Sequence, residues 1–156
     1  MRERSGTTFI TICVCLCLTS LVAESFGATI TVQASETAAI QNPEAITDRR
    51  LLVRFDVPQH LSEGTIELAS LELGTTLSAP DSTASVMLDC FAVTAPWGPD
   101  AADWSEGWST PGGDFDRMSR GVCTAVVSDS TRVRFDVTDM VATWVNQEAE
   151  NHGVIV

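Results

Sequence analysis

The stretch that decides the fold is LLVRFDV at residues 51–57, and VRFDV returns at residues 133–137. In both stretches apolar residues alternate with charged ones, so an extended chain has one apolar face and one polar face. This period of two predicts half-buried β-strands, with Val53 and Phe55 directed inward and Leu52 outward.

Further strands are predicted on either side of these two. Apolar residues also alternate at 28–34, 66–73 and 86–92, and a short apolar run follows at 122–127. The phase of the 66–73 segment slips once near Leu68, which predicts a bulge or a bend. The stretch at 36–48 contains Asn, Pro and Asp, the stretch at 96–120 contains Gly, Pro and Asp, and both are predicted as loops.

A helical period is confined to one late segment. Apolar residues recur there at helical spacing, at Val137, Met140, Val141, Trp144 and Val145. Thr138 is predicted as the N-cap, and Trp144 is expected in the core. Many short strands and one helix predict an all-β fold, an antiparallel jelly-roll-type β-sandwich with one short late helix.

Residues 1–27 have the pattern of a secretory signal peptide. Arg2 and Arg4 precede an apolar run at 9–23, and small residues follow it. That run of roughly 15 residues is shorter than the roughly 20 needed to span a bilayer, so a retained anchor is the weaker alternative. We expect cleavage before Ala28, export to the extracellular space or cell surface, and no membrane insertion once the signal is removed.

Residues 28–156 are predicted to form one domain. The chain ends in an apolar run, residues 153–156, that has the pattern of the beginning of a strand. Whether the C-terminus is truncated is left open. The chain carries 9 basic and 21 acidic residues and a net charge of −12, and this field repels phosphate, so nucleic-acid binding is excluded as a prediction.

Two cysteines, Cys90 and Cys123, remain outside the signal segment. In an oxidising compartment an isolated pair most often forms a disulfide, which is the prediction here. Two separate buried thiols are the alternative. Neither cysteine has a second Cys or a His at zinc-ligand spacing, and a nucleophilic role lacks a neighbouring base in the sequence.

Three tryptophans, Trp97, Trp104 and Trp108, lie together in the predicted long loop. Indole faces stack on the apolar faces of sugar rings, so this cluster is a candidate ligand-binding platform. The alternative is that the indoles fill the end of the sandwich, and this is favoured for Trp97 because it follows directly on a strand.

Charged residues supply two further candidate sites. Asp114 and Asp116 alternate in a Gly-bearing stretch and are candidate ligands for a structural Ca²⁺, although acidic residues are more often simply solvated. Arg54 and Arg134 project from similar strands and are candidate ligand-binding residues that would grip uronate or sulfate groups. Cross-strand pairing with carboxylates such as Asp56, Asp136 and Glu side chains is the favoured interpretation of both arginines.

Several strings, taken in order, resemble the DNRLRE-type domain, which is related to carbohydrate-binding module family 96. The strings are LLVRFDVP at 51–58, Ile66-x-x-Ala69-x-Leu71-x-Leu73, VT-x-PW at 93–97, W-x-TPGGDFD at 108–116, FDVTD-x-V-x-x-W at 135–144, and N-x-GV at 151–154. Each string is chiefly strand or helix patterning, so the resemblance depends on their order and spacing.

The resemblance implies an exported, non-catalytic β-sandwich that binds polysaccharide or a cell-surface glycan, attached to or associated with a polysaccharide-degrading enzyme. No catalytic residue is carried over. The alternative is a structural or adhesive cell-surface module without a sugar site. The sequence departs from the family in its first loop and in the absence of the usual last strand.

Overall fold

The computed structural model describes residues 10–17, 27–45, 47–58, 61, 65–75, 85–126 and 131–156. Within these residues the chain forms eight strands and one helix. In chain order they are β1 (Ile10–Cys17), β2 (Gly27–Gln41), β3 (Arg49–Phe55), β4 (Thr65–Thr75), β5 (Ser85–Val93), β6 (Phe115–Val126), β7 (Thr131–Asp136), α1 (Thr138–Val145) and β8 (Val154–Ile155).

The strands form two antiparallel groups that share β2. One group has the order β2, β1, β4, β7, and the other has the order β2, β3, β8, β5, β6. The strand β2 is long enough to serve both, because residues 27–33 pair with β1 and residues 34–41 pair with β3. The prediction of an antiparallel all-β sandwich with one short helix is confirmed.

The main core lies between the two groups and is closed by the helix. Val53 and Phe55 from β3 meet Val133 and Phe135 from β7, and each is buried. The predicted inward face of these two strands is therefore correct. Trp144 of α1 is buried against Phe55, with ring centroids 5.6 Å apart and the planes tilted by 60°, which confirms its expected place in the core.

The strand β3 is buried on its second face as well. Leu52, predicted to face outward, is 0% exposed and packs with Ile40 and Ile155 in a second core. Trp97 and Trp104 cover this second core from the loop between β5 and β6. The prediction for Leu52 is wrong because a period of two distinguishes the faces of a strand but does not report what another segment places on the polar side.

The helix begins one residue earlier than predicted and is capped differently. Val137 occupies the N-cap position and forms no side-chain capping bond. The Asp136 carboxylate instead accepts hydrogen bonds from the Thr138 amide (3.0 Å) and hydroxyl (2.7 Å), and Thr138 Oγ1 accepts from the Ala69 amide (3.0 Å). Thr138 therefore joins the helix to β4, while the Asp136 carboxylate accepts a hydrogen bond from a backbone amide of the first helical turn.

Two segments predicted as loops are partly strand. The strand β2 continues to Gln41, inside the predicted 36–48 loop, and β6 begins at Phe115, so the long loop is shorter than predicted. The bulge predicted near Leu68 is confirmed, because Cys15 lies opposite Leu68 whereas the next residue of β1 lies opposite Ile66. The predicted signal cleavage zone at 25–27 lies outside the described residues except for Gly27.

Cys90 and Cys123 are both free thiols, so the predicted disulfide is absent. The ladder gives the reason: Cys90 lies opposite Gly121, and Cys123 lies opposite Leu88. The two cysteines are thus diagonal neighbours, whose Cα atoms lie about 7–8 Å apart in a regular ladder, beyond the usual disulfide range. Burial raises the pKa of the Cys90 thiol, which keeps it protonated.

We expect a chain of residues 28–156, the predicted processed form, to contain two alkylatable thiols when it is unfolded without reductant. In the folded protein Cys123, which is partly exposed, should react first, because Cys90 is buried and protonated. Peptide mapping by mass spectrometry locates the adducts, and Cys90→Ser and Cys123→Ser variants verify the assignment. A species lighter by two hydrogens with neither residue labelled would contradict the described register.

Gly153 is expected to be indispensable for docking β8. Its φ is +84°, and a Cβ at this position would collide with the backbone of Val53 and Arg54. Gly153→Ala should lower the free energy of unfolding by roughly 2 kcal/mol or more, measured by denaturant titration. Gly74→Ala is the control, since a Cβ there meets nothing within 4 Å, and it should change stability by less than about 0.5 kcal/mol.

Candidate functional site

The candidate site lies in the tryptophan loop, defined as residues 94–114, which leaves β5 and returns to β6. The loop is closed at its base by a hydrogen bond from the Thr94 amide to the Asp114 carbonyl (2.9 Å). Gly112 and Gly113 turn the chain before β6 with φ values of +93° and +105°. The loop folds back over the outer face of the β3–β8–β5 strands, which is why it supplies the second core.

The Asp114 side chain holds the last turn of the tryptophan loop. One carboxylate oxygen accepts hydrogen bonds from the Ser109 amide and hydroxyl, both at 2.7 Å, and the other accepts from the Thr110 amide at 3.0 Å. These bonds, the Ser109 amide first, keep the pKa of Asp114 below its usual value. The role of this residue in the fold is therefore to order the loop.

Trp104 points inward from the tryptophan loop and is 7% exposed. The Arg50 guanidinium lies 4.8 Å from its ring centroid and donates a hydrogen bond to the Gly112 carbonyl (2.5 Å). The ring is thus enclosed between the second core and a cation held by the loop backbone. This geometry places Trp104 among the packing residues and not on the surface that a ligand meets.

Trp97 is also buried, and its polar edge is satisfied within the protein. Its Nε1 donates to the His152 carbonyl (2.7 Å), and the Arg54 guanidinium lies 5.4 Å from the ring centroid. Arg54 donates to the Trp97 carbonyl (3.2 Å) and pairs with Glu36, its cross-strand neighbour on β2. Arg54 is therefore occupied by internal contacts.

Trp108 is the tryptophan of the loop that keeps substantial exposure. It is half-buried, and its Nε1 donates to the Asp103 carbonyl (2.7 Å), which fixes the orientation of the ring. A cavity of about 260 Å³ opens beside it. Its walls combine two indoles, small residues and one carboxylate: Pro96, Trp97, Gly98, Ala101, Ala102, Glu106, Gly107 and Trp108.

The part of the tryptophan loop around this cavity is acidic. Asp100, Asp103 and Glu106 are exposed on the tryptophan loop. Asp103 accepts hydrogen bonds from the amides of Ser105 (2.8 Å) and Glu106 (3.3 Å), which makes a tight turn between Trp104 and Trp108. The turn presents the Glu106 side chain to the cavity wall.

The two predicted arginines are not brought together. Arg54 is on β3, whereas Arg134 is on β7 in the other strand group and pairs with Glu72, its cross-strand neighbour on β4. Arg134 is 68% exposed and lies apart from the tryptophan loop. Both arginines therefore form cross-strand pairs with a glutamate, Arg54 with Glu36 and Arg134 with Glu72.

The two predicted calcium ligands, Asp114 and Asp116, each accept hydrogen bonds from different parts of the chain. Asp116 is on β6, where its carboxylate accepts a hydrogen bond from the Met118 amide (2.8 Å), and Asp114 accepts three bonds from the loop. Among the described residues no group of three or more His, Cys, Asp or Glu side chains converges on a point that suits a metal ion. The tentative calcium site therefore has no assembled ligand set in the described part of the chain.

Sequence reasoning missed two contributors to the site. Arg50 encloses Trp104 and ties the loop through Gly112, and Ala102 packs in the second core beside Trp108. An arginine on a strand carries no pattern that identifies its aromatic partner, because the partner is more than fifty residues away in the sequence. The GG pair at 112–113 was the visible signal, since it predicts a turn with positive φ.

Comparisons with known proteins identify no relative. No protein-family model, no curated protein and no solved structure matches the chain. Within the described residues no helix is both long enough and apolar enough to cross a lipid bilayer. The resemblance to the DNRLRE-type domain therefore stays a prediction.

We expect the loop to loosen in acid because of Asp114. Since its pKa is lowered in the folded state, its stabilising contribution is complete above the ordinary value of 3.8 and is lost as the pH falls through the lower folded value. The Trp108 contribution to the fluorescence, obtained from pH 6 to pH 2 as the difference between the unmodified chain and Trp108→Phe, should report this loosening. Asp114→Asn should loosen the loop at neutral pH and flatten the acid response.

The matched control for this titration is Asp100→Asn, an exposed carboxylate of the same loop. It removes an equal charge without removing the bonds to Ser109 and Thr110. If the fluorescence titration of Asp100→Asn coincides with that of Asp114→Asn, the net charge, and not the loop hydrogen bonds, governs the response.

Proposed function

We propose that this chain is an exported, non-catalytic carbohydrate-binding module-like domain that holds a polysaccharide at the cavity beside Trp108. The observation that carries the proposal is a partly exposed indole with a fixed orientation, next to a cavity of about 260 Å³ that Glu106 also lines. An indole face supplies stacking area for a sugar ring, and a carboxylate accepts hydrogen bonds from its hydroxyls.

The size of the cavity limits what it holds. Pockets for drug-sized ligands begin at about 300 Å³, so a cavity of about 260 Å³ suits one sugar ring of a longer chain. The backbone ties at Asp103 and Asp114 hold the loop before the ligand arrives. A preformed site loses less conformational entropy on binding, which favours a small contact surface.

The charges around the cavity favour a neutral glycan. Asp100, Asp103 and Glu106 are exposed there, and the chain carries a net charge of −12. The nearby cations are occupied, since Arg50 donates to the Gly112 carbonyl and Arg54 pairs with Glu36. A uronate or sulfate group would meet repulsion without a guanidinium to bind it.

The resemblance to carbohydrate-binding modules adds the expected setting. In that setting the domain lies outside the cell or at its surface, attached to or associated with a polysaccharide-degrading enzyme. It brings the enzyme to its substrate and performs no bond cleavage itself. The location, the associated enzyme and the non-catalytic role all depend on this resemblance.

A second candidate function is a structural or adhesive surface module without a sugar site. The burial of Trp97 and Trp104 favours it, because both rings are less than a tenth exposed and pack in the second core. In that case the tryptophan loop is a cover for the sheet. The exposed part of Trp108 would then have no ligand.

We expect the intact domain to bind a neutral polysaccharide, and Trp108→Ala to weaken the binding by about tenfold, equivalent to about 1.4 kcal/mol. Affinity electrophoresis and calorimetry against a panel of neutral, uronate and sulfated glycans measure this. Glu106→Gln should weaken binding less than Trp108→Ala does. Met118→Ala is the matched control, since this side chain is 91% exposed on β6 and lies outside the loop.

Quenching of fluorescence separates the two candidate functions in the same samples. For a glycan-binding domain, one of the four indoles is accessible to acrylamide, and a bound glycan protects it. The loss of this accessible fraction in Trp108→Ala identifies the ring. A folded domain that binds no glycan of the panel, with an accessible indole that no glycan protects, would favour the structural module.

A further inference from the structure

The strand β1 consists of residues that the sequence assigns to the removable signal. Ile10–Cys17 lies between β2 and β4 and pairs antiparallel with both. At its centre, Val14 lies opposite Ile30 of β2 and Ala69 of β4. Removal of residues 1–27 therefore takes an interior strand out of the sheet, not an end of it.

The two walls of this position are held by other strands. The second half of β2 is fixed by its pairing with β3, and β4 is fixed by its pairing with β7. Since both walls run antiparallel to β1, they are parallel to each other and about two strand spacings, or about 10 Å, apart. Direct pairing of β2 with β4 would require one of them to leave its present partner.

An empty position between these walls would leave two rows of unpaired backbone groups. Such rows accept any extended segment that supplies the complementary N–H and C=O groups. The side chains of Ile30, Val32 and Ile66 pack against the main core from the same two walls. A strand in this position therefore also shields apolar surface.

We propose that the position of β1, in the processed chain, is a binding site for a strand from a different protein, not from a second copy of this chain. The proposal rests on the predicted removal of the signal and is independent of the glycan site, which lies on the other strand group. The bound segment is extended, uncharged and rich in β-branched and small residues, as is ITICVCLC itself. It spans about eight residues and runs antiparallel to both walls.

Charge complementarity specifies the flank of this segment. The walls, residues 28–34 and 65–73, contain no Lys or Arg, and their acidic residues are Glu67 and Glu72, of which Glu72 pairs with Arg134 of β7. The whole chain is acidic as well, with a net charge of −12. A donor with basic residues before its apolar stretch is favoured over an acidic one, and the resident strand follows the same rule because Arg2 and Arg4 precede it.

The test uses the full chain with a specific protease site inserted in residues 18–26, so that β1 is severed after folding. The probe is a labelled peptide of residues 9–18 with two arginines added at its N-terminus. We expect the cut chain to incorporate the probe, measured by co-elution and polarisation, at least tenfold faster than the uncut chain does. Hydrogen exchange at residues 27–33 and 65–73 should slow again when the probe binds.

The matched control peptide carries Val14→Pro, because proline lacks the N–H that the central ladder position uses. It should bind at least tenfold more weakly, and a probe with two glutamates in place of the arginines should also bind more weakly than the basic one. Equal binding of the proline peptide, or no incorporation of the basic probe, would overturn the proposal. Dimerisation of the cut chain, seen by sedimentation, would assign the position to a second copy and overturn it too.

N-terminal sequencing of the exported protein tests the premise separately. A chain that begins at Ala28 supports it, whereas a chain that retains residues 10–17 means that the position is never vacated, and the proposal fails. Glycan binding by the same preparation is measured in parallel. A failure of strand exchange alone leaves the proposed glycan site in place.

Discussion

The fold depends on covering both faces of β3. Val53 and Phe55 enter the main core, while Leu52 on the opposite face joins Ile40 and Ile155 in a second core. Without a cover, these last side chains would lie in water on the outer face of the sheet, at a cost of roughly 1.5–3 kcal/mol for each large aliphatic side chain. The tryptophan loop is that cover, and its own conformation is set by what it must bury.

This constraint divides the three tryptophans by role. Trp97 and Trp104 lie over the second core, and arginines from β3 lie against their rings, while the Trp97 Nε1 also donates to the His152 carbonyl. Trp108 lies at the margin of the loop, where burial is incomplete and a cavity opens. The candidate glycan site is thus a by-product of the way the loop covers the sheet. Under the proposed function, one segment would stabilise the fold through Trp97 and Trp104 and bind the glycan beside Trp108.

A second constraint acts through β2, the strand that belongs to both groups. Its pairing with β3 anchors it while its first half lines the position of β1. The N-terminal segment therefore has a structural place in the sheet as well as a predicted role in targeting. A residue range with the composition of an export signal also has the composition of a good strand, since both require uncharged, apolar residues.

Much of the architecture was readable from local patterns. The alternation at 51–57 and 133–137 predicted two core strands, and the helical stripe with Trp144 predicted the helix that closes the core. Within the site, the cluster of indoles and the turn at 112–113 were visible as residue types. These patterns are local because the period of a strand or helix is set by the backbone geometry of a few adjacent residues.

Other features required the tertiary structure, because they depend on which distant residues become neighbours. The sequence by itself determined the strand periods, the helix, the acidic charge and the clustering of tryptophans. Only the tertiary structure decided that Leu52 is covered, that Cys90 lies diagonal to Cys123, and that Arg54 and Arg134 are in different strand groups. The physical reason is that register and the placement of the covering loop are properties of the whole assembly of strands, whereas alternation records only that two faces exist.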